Sequence, residues 1–339
     1  MDHFSTNYLT GVVNSLRSDS SFLADTFFPG QQTETSEEIH FDVEDDVMGL
    51  APFVSPVVEG KVMSNLGYTT KTFKPAYVKP KHVFNPQMAL KRTKGEQLGG
   101  TLSPEQRMRL IVAQHLMVQR DMLGRRLEWM AAQILATGSV TVTGDLYPTA
   151  VVNYGRAGGH TITLSGGARW GESGVDPLDD LQTWSDTMIQ ACGSKPTNVV
   201  MEVGAWKLFR KSATVIARID LQRSANVRPT MSQDAIQEVG GTYMGTVDGF
   251  NIWVYSGYYK ADNGTITPYM AANTVFMVGQ LGGVQAFGAI QDEAPNIAAI
   301  PYFSKSWVQQ DPPRRMIMTQ SAPLLVPYRP NASMAITVR

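Results

Sequence analysis

A single cysteine, Cys192, occurs in 339 residues. One thiol excludes an intrachain disulfide framework and fits a reducing compartment. Its neighbours Ala191 and Gly193 carry no charge to activate a thiolate, so it reads as a packed core position rather than a nucleophile. Charge is also sparse, at 17% of residues against 43% hydrophobic, with a formal net charge of -1. A near-neutral chain sets up no global field that would draw it onto DNA or an anionic membrane, which directs attention to protein partners. No apolar run of about 18 residues occurs. The start, Met1-Asp2-His3-Phe4-Ser5-Thr6, lacks a basic segment followed by an apolar one, so a chain neither exported nor inserted in a membrane is expected. Signatures of chemistry are missing too: no P-loop, no G-x-G-x-x-G after a strand, no H-E-x-x-H and no G-x-S-x-G. Gly279-Gln280-Leu281-Gly282-Gly283 lacks the lysine and hydroxyl that phosphate binding requires and reads as a turn. No catalytic residue and no cofactor site is expected.

What the sequence does contain is punctuation, with 30 glycines and 19 prolines, in a chain longer than one average domain. That composition suits a β-rich, loop-rich protein that covers much of its surface with partners. Residues 1 to about 35 carry scattered anchors, among them Phe4, Tyr8, Leu9, Phe22, Leu23, Phe27 and Phe28, as in an arm that gains order by lying on another surface. Ile39, Phe41 and Val43 alternate with His40, Asp42 and Glu44, the period of a half-buried strand. Two extended stretches, 53 to 63 and 68 to 78, flank Ser64-Asn65-Leu66-Gly67 and read as a long hairpin that must dock elsewhere, because a lone hairpin is marginal in water.

Ser103-Pro104-Glu105-Gln106 is a helix start, with Ser103 as cap, Pro104 at the first position and Gln106 completing a capping box. Helix-compatible residues run to Ala136, before Thr137-Gly138. The apolar stripe Val112, Leu116, Leu123, Leu127, Met130 and Ile134 is interrupted where Gln119 and Arg120 fall. At 1.5 Å per residue this is a spine of roughly 50 Å. Asp176-Pro177 opens a second helix, Asn198 to Met201 and Val275 to Val278 read as buried strands, and Asp248-Gly249 marks a hairpin between 242 and 255. Further strands are expected at 140–143, 149–154, 160–164, 316–320, 324–326 and 334–338. Helices and strands mix without regular βαβ alternation, so the class is α+β.

The stretch Phe73-Lys74-Pro75-Ala76-Tyr77-Val78-Lys79-Pro80-Lys81-His82-Val83-Phe84-Asn85-Pro86-Gln87-Met88, preceded by Phe53-Val54-Ser55-Pro56-Val57-Val58-Glu59-Gly60, resembles the signature of the major capsid protein E family of lambda-like tailed bacteriophages. Asp176-Pro177-Leu178-Asp179-Asp180, Trp206, Tyr255-Ser256-Gly257, Ile290-Gln291-Asp292, Ser306-Trp307-Val308, Asp311-Pro312 and Gln320-Ser321-Ala322-Pro323-Leu324 resemble family segments in the same order. The resemblance implies the Hong Kong 97-type capsid fold: an N-terminal arm at about 1–35 and an extended loop region at 36–95. A peripheral domain at 96–174 and 286–339 would carry the spine helix, and an axial domain would occupy 175–285. It implies a structural head protein that assembles as hexamers and pentamers into an icosahedral shell around double-stranded DNA. The implied partners are further copies of the chain, portal, scaffolding and decoration proteins, and packaged DNA through weak non-specific contact. The implied location is the virion head, with assembly in the host cytoplasm. No lysine and asparagine pair can be assigned to a covalent crosslink, so non-covalent joining is expected.

Two local features carry alternatives. Asp42, Glu44 and Asp46 share one strand parity and, with His40, could form a divalent-metal cluster in an enzyme. Their spacing matches no known ligand loop, and an exposed strand face followed by an acidic turn accounts for it. Lys71, Lys74, Lys79, Lys81, Lys91, Arg92 and Lys94, interleaved with Phe73 and Tyr77, could form a DNA-facing strip. The preferred reading sets them against acidic surface on adjacent subunits, such as the Glu37 to Asp46 region. Another shell or tail protein of the same fold is the remaining alternative.

Overall fold

Strand alternation builds the centre of this molecule. The computed structural model describes residues 4–16, 21–44, 68–85, 102–144, 147–224, 240–292, 299–311 and 314–339, together with 53, 59, 88, 90, 91, 237 and 238. The chain opens with helices α1 (Thr6–Ser15) and α2 (Phe22–Phe27), then strands β1 (Gly30–Thr33), β2 (Ile39–Glu44), β3 (Tyr68–Phe73) and β4 (Lys81–Phe84). The spine helix α3 (Pro104–Thr137) leads into the hairpin β5 (Ser139–Gly144) and β6 (Tyr147–Asn153), then β7 (Thr161–Thr163). Helix α4 (Pro177–Cys192), β8 (Asn198–Glu202), α5 (Val203–Phe209) and α6 (Ala213–Ser224) follow, then β9 (Gln237–Glu238), β10 (Gly241–Val247) and β11 (Phe250–Tyr255). The remainder is strand: β12 (Tyr258–Lys260), β13 (Ile266–Pro268), β14 (Thr274–Val278), β15 (Gly283–Phe287), β16 (Phe303–Gln309), β17 (Arg314–Gln320), β18 (Pro323–Pro327) and β19 (Ser333–Thr337).

Seven strands form one sheet in the order β7-β19-β14-β8-β11-β10-β9. Because successive side chains point to opposite faces, its central strands feed two cores. Val199 and Met201 of β8, Val275 and Met277 of β14, and Met334 and Ile336 of β19 pack with Trp170, Leu181, Trp184, Met188 and Phe209. Val200, Phe276, Val278 and Ala335 face the other way, onto α2, the C-terminal half of α3 and the β1-β15-β18 sheet. Every residue of β14 is buried, as a central strand with both faces covered requires. The β10–β11 hairpin closes through Asp248 and Gly249, both at positive φ (50° and 85°), the backbone that an Asp-Gly two-residue turn favours.

The expected helix is unbroken past Gly124. Ser103 Oγ accepts from the Gln106 amide at 3.2 Å, and Gln106 Oε1 accepts from the Ser103 amide at 2.9 Å. Gly138 stops the helix in the left-handed region at φ 70°, where a β-carbon would be disfavoured. Three expectations need amendment. The N-terminal arm contains two helices that lie on this chain itself: Leu9 and Val13 of α1 pack with Val112, Leu116 and Leu123 of α3 and with Tyr302 and Ile317. The stretch 68–73 pairs in antiparallel register with β2, from Ile39↔Phe73 to Glu44↔Tyr68. The stretch expected to face it in a hairpin, 53–63, with its turn at 64–67, falls outside the described residues except for Phe53 and Glu59. Finally, β16 was not expected, because Ser304, Lys305 and Ser306 mask its alternation; its full-length ladder with β17 makes it a strand.

Candidate functional site

The acidic strand resolves into ordinary cross-strand pairing. Ile39, Phe41 and Val43 are buried, which turns His40 and Asp42 outward. Asp42 Oδ1 accepts from Thr70 Oγ1 at 2.6 Å, and His40 Nδ1 lies 3.0 Å from Thr72 Oγ1, each the direct partner across the ladder. Asp46 and the side chain of Glu44 lie outside the described residues. Among the described residues no three His, Cys, Asp or Glu side chains converge as metal ligands. The basic stretch also finds a partner at home. Lys74 pairs with Glu37 of the same chain, and Lys71 Nζ donates to the Asn153 carbonyl at 2.7 Å. The preferred reading, which set these lysines against a neighbouring subunit, is corrected for Lys74: the β2–β3 ladder brings Glu37 beside it.

The spine helix is where internal and outward-facing surfaces meet. In its N-terminal half Ile111, Val112, Leu116 and Gln119 point inward, whereas Leu110, Met117, Val118 and Met122 are exposed. Between Leu127 and Leu135 burial extends almost round the helix, taking in Leu127, Glu128, Met130, Ala131, Ala132, Ile134 and Leu135. The helix end is held from outside. Arg156 donates from Nη1 to the Leu135 carbonyl at 2.6 Å and from Nη2 to the Ala136 carbonyl at 2.7 Å, placing a cation at the negative end of the helix dipole. Burial pushes this guanidinium down to about 10.

Glu128, in this stretch, ties three parts of the chain together. Its Oε1 accepts from the Leu23 amide at 2.9 Å and from the Tyr255 hydroxyl at 2.6 Å, and its Oε2 accepts from the Ala24 amide at 2.9 Å. The arm helix α2, the spine and strand β11 therefore converge on one carboxyl. Burial pushes its pKa up to about 7, opposed by those three hydrogen bonds. The same burial, together with Glu128 itself, pushes the Tyr255 phenol up. Around the junction Phe22 lies against Trp253 and Tyr255, with ring centroids 5.0 and 5.9 Å away.

Gln119, which interrupts the apolar stripe in the sequence, has a structural reason to be polar. Its Nε2 donates to the Ile317 carbonyl at 2.9 Å and its Oε1 accepts from Thr319 Oγ1 at 2.6 Å, pinning the spine to β17. Arg120 lays its guanidinium over the Tyr302 ring at 4.1 Å. His115 stacks on His82 of β4 at 4.9 Å, and burial, then His82, lowers its pKa. Cys192 is buried, with Sγ donating to the Met188 carbonyl at 3.3 Å, as a packed position should. Sequence reading passed over Glu128 and Arg156. The available signal for Glu128 was a lone carboxylate inside the apolar run Leu127 to Leu135; for Arg156 none existed, since its role depends on where the β5–β6 hairpin returns the chain.

These contacts tie the arm helices, the spine and the strands of both cores to one another. Comparison with known proteins identifies what the chain resembles. A family model described as "Phage major capsid protein E" matches residues 5–338. The major capsid protein of Escherichia phage lambda is 31% identical over 91% of this chain and 92% of its own length. That of Enterobacteria phage P21 is 27% identical over the whole of both chains. A crystal structure of a prophage protein from E. coli CFT073 superposes with a TM-score of 0.70 at 21% identity, covering 98% of this chain and 99% of its own. The capsid of Ralstonia phage GP4 gives 0.54 at 11% identity over 95% and 92%.

Proposed function

The chain belongs to the phage major capsid protein E family, and from that premise we propose that it is the head protein of a tailed double-stranded DNA bacteriophage. Many copies, arranged as hexamers and pentamers, close into an icosahedral shell that encloses the genome. The observation that carries this reading is the extent of the family match, residues 5–338. The protein is structural and not an enzyme, and the reading gives it no catalytic, cofactor or metal site. An enzyme built on Asp42, Glu44 and Asp46 is unsupported, since the relatives are capsid proteins and Asp42 is taken up by Thr70.

In this reading residues 1–35 are the arm and 36–95 the extended loop region. Residues 96–174 with 286–339 make the peripheral domain, and 175–285 the axial domain that gathers at the local symmetry axes. The exposed Leu110, Met117, Val118 and Met122 support it, because apolar side chains left open on one subunit suit contact with another copy. Portal, scaffolding and decoration proteins are further partners, the DNA is touched weakly, and assembly takes place in the host cytoplasm before the protein resides in the virion head.

Electron microscopy of the full chain, alone and with a co-expressed scaffolding protein, should show closed icosahedral particles; a discrete small oligomer under both conditions would refute the proposal. Shortening the chain between β2 and β3, residues 46–66, to a Gly-Ser turn should keep near-native circular dichroism while particles disappear from sedimentation runs. Full-sized shells of normal stability from the shortened chain would mean that this loop is not the clamp between subunits.

A further inference from the structure

We infer that Glu128 is a proton-coupled latch for the N-terminal arm, so that the segment carrying α2 is held on the spine helix by a protonated carboxyl and released more readily by an ionised one. The geometry is specific. The carboxyl is fully buried, and its polar partners are two amides of α2 and the phenol of Tyr255, none of them cationic. Oε1 accepts twice and Oε2 once, which leaves Oε2 with the free site for a proton. Both amides belong to the arm, as do Phe22, Leu23 and Phe27, which close the core over the carboxyl. Lifting the arm therefore removes two hydrogen bonds and the cover at once, and returns Glu128 to water.

Among the charged and titratable groups around it, Asp25 reinforces this direction, whereas the hydrogen bonds from Tyr255 and the Leu23 and Ala24 amides oppose it without reversing it. Asp25 of α2 is of like sign and raises the carboxyl further. Tyr255 of β11 donates to it, and Tyr269, in the segment after β13, is itself pushed up by burial and by Glu128. Arg125 and Arg126 of the spine act on Tyr269 and form no hydrogen bond or ion pair with the carboxyl among the described residues. With the docked carboxyl at about 7 and a released one at its ordinary 4.5, the proton is bound more tightly in the docked state. Docking is therefore strongest at low pH and is lost progressively as pH rises towards and through 7. Linkage gives roughly a tenfold weakening between pH 6 and pH 8.

Hydrogen exchange of the full chain as an unassembled subunit tests the latch through the Leu23 and Ala24 amides. After correction for the intrinsic pH dependence of exchange, their protection should fall about tenfold from pH 6 to pH 8. In Glu128→Gln, which cannot titrate, protection should be the same at both values, whether the arm stays docked or not. Tyr255→Phe removes a bond that favours the ionised form, so it should move the midpoint of the wild-type pH dependence upward. Flat protection in the wild type, an undiminished slope in Glu128→Gln, or a midpoint unmoved or lowered in Tyr255→Phe would each overturn the inference.

Discussion

The two halves of the spine helix share a backbone and differ in what they face. From Leu127 to Leu135 the helix is surrounded by its own chain: α2 on one side, strands β14, β18 and β19 on another, and Arg156 at its end. From Pro104 to Met122 α1, β4 and β17 cover one side, and among the described residues Leu110, Met117, Val118 and Met122 stay exposed. A helix apolar on nearly all sides is normally buried on all sides. One half meets that condition inside the subunit; the other has apolar surface to spare. The comparison separates residues that fold a subunit from residues available to join subunits, within one continuous element.

The comparison breaks most easily at Leu135, which is completely buried. Leu135→Ala should cost about 2–5 kcal/mol through lost contacts and the cavity left behind, read from the urea midpoint of the unassembled subunit. A loss below about 1 kcal/mol would erase the distinction between the halves. Arg156→Ala comes next, because it strips charge-assisted donors from the Leu135 and Ala136 carbonyls in a largely buried place. A loss of about 1–3 kcal/mol is expected, with exchange accelerated first at the C-terminal turn of the helix. Uniform acceleration along the whole helix would show that Arg156 supports the fold in general rather than this end. The smallest effect belongs to Met117→Ser combined with Met122→Ser. Subunit stability should change by no more than about 0.5 kcal/mol, while the protein concentration needed for particles rises. A drop in the urea midpoint like that of Leu135→Ala would place these methionines in the subunit core instead.

The parts of this fold written in local sequence were readable. Ser103, Pro104, Gln106 and Gly138 define both ends of the spine through their own capping chemistry, and Asp248-Gly249 defines a turn by its backbone preference. The buried runs 198–201 and 275–278 announce central strands by composition alone. Pairing across distance was less legible. The turn formers at 64–67 point residues 68–73 towards 53–63, the neighbour in sequence, whereas the described ladder is with β2, from a segment that nothing local links to it. The helices of the arm are hard to read locally because the anchors Leu9 and Val13 are few and become meaningful only against Leu116 and Tyr302. Glu128 was invisible for a related reason: a carboxylate in a helix is unremarkable until two amides from residues 23 and 24 and a phenol from residue 255 meet it. Gln119 lies between these cases. Its break in the stripe is visible in the sequence, but its partners Ile317 and Thr319 come from about 200 residues later in the chain.

The position of β19 in the seven-stranded sheet bears on synthesis. It lies between β7 and β14, parallel to the first and antiparallel to the second, and among the described residues is the sole sheet neighbour of β7. Translation delivers β7 at residue 161 and β14 at residue 274, long before residues 333–337 that belong between them. Until then both neighbours expose unsatisfied strand edges, and the core lacks Met334 and Ile336. A ribosome that stops short of residue 333 releases a polypeptide with an open sheet, a substrate for proteases and chaperones. Of the strands of this sheet β19 is the last in chain order, so the sheet closes only once residues 333–337 have been made.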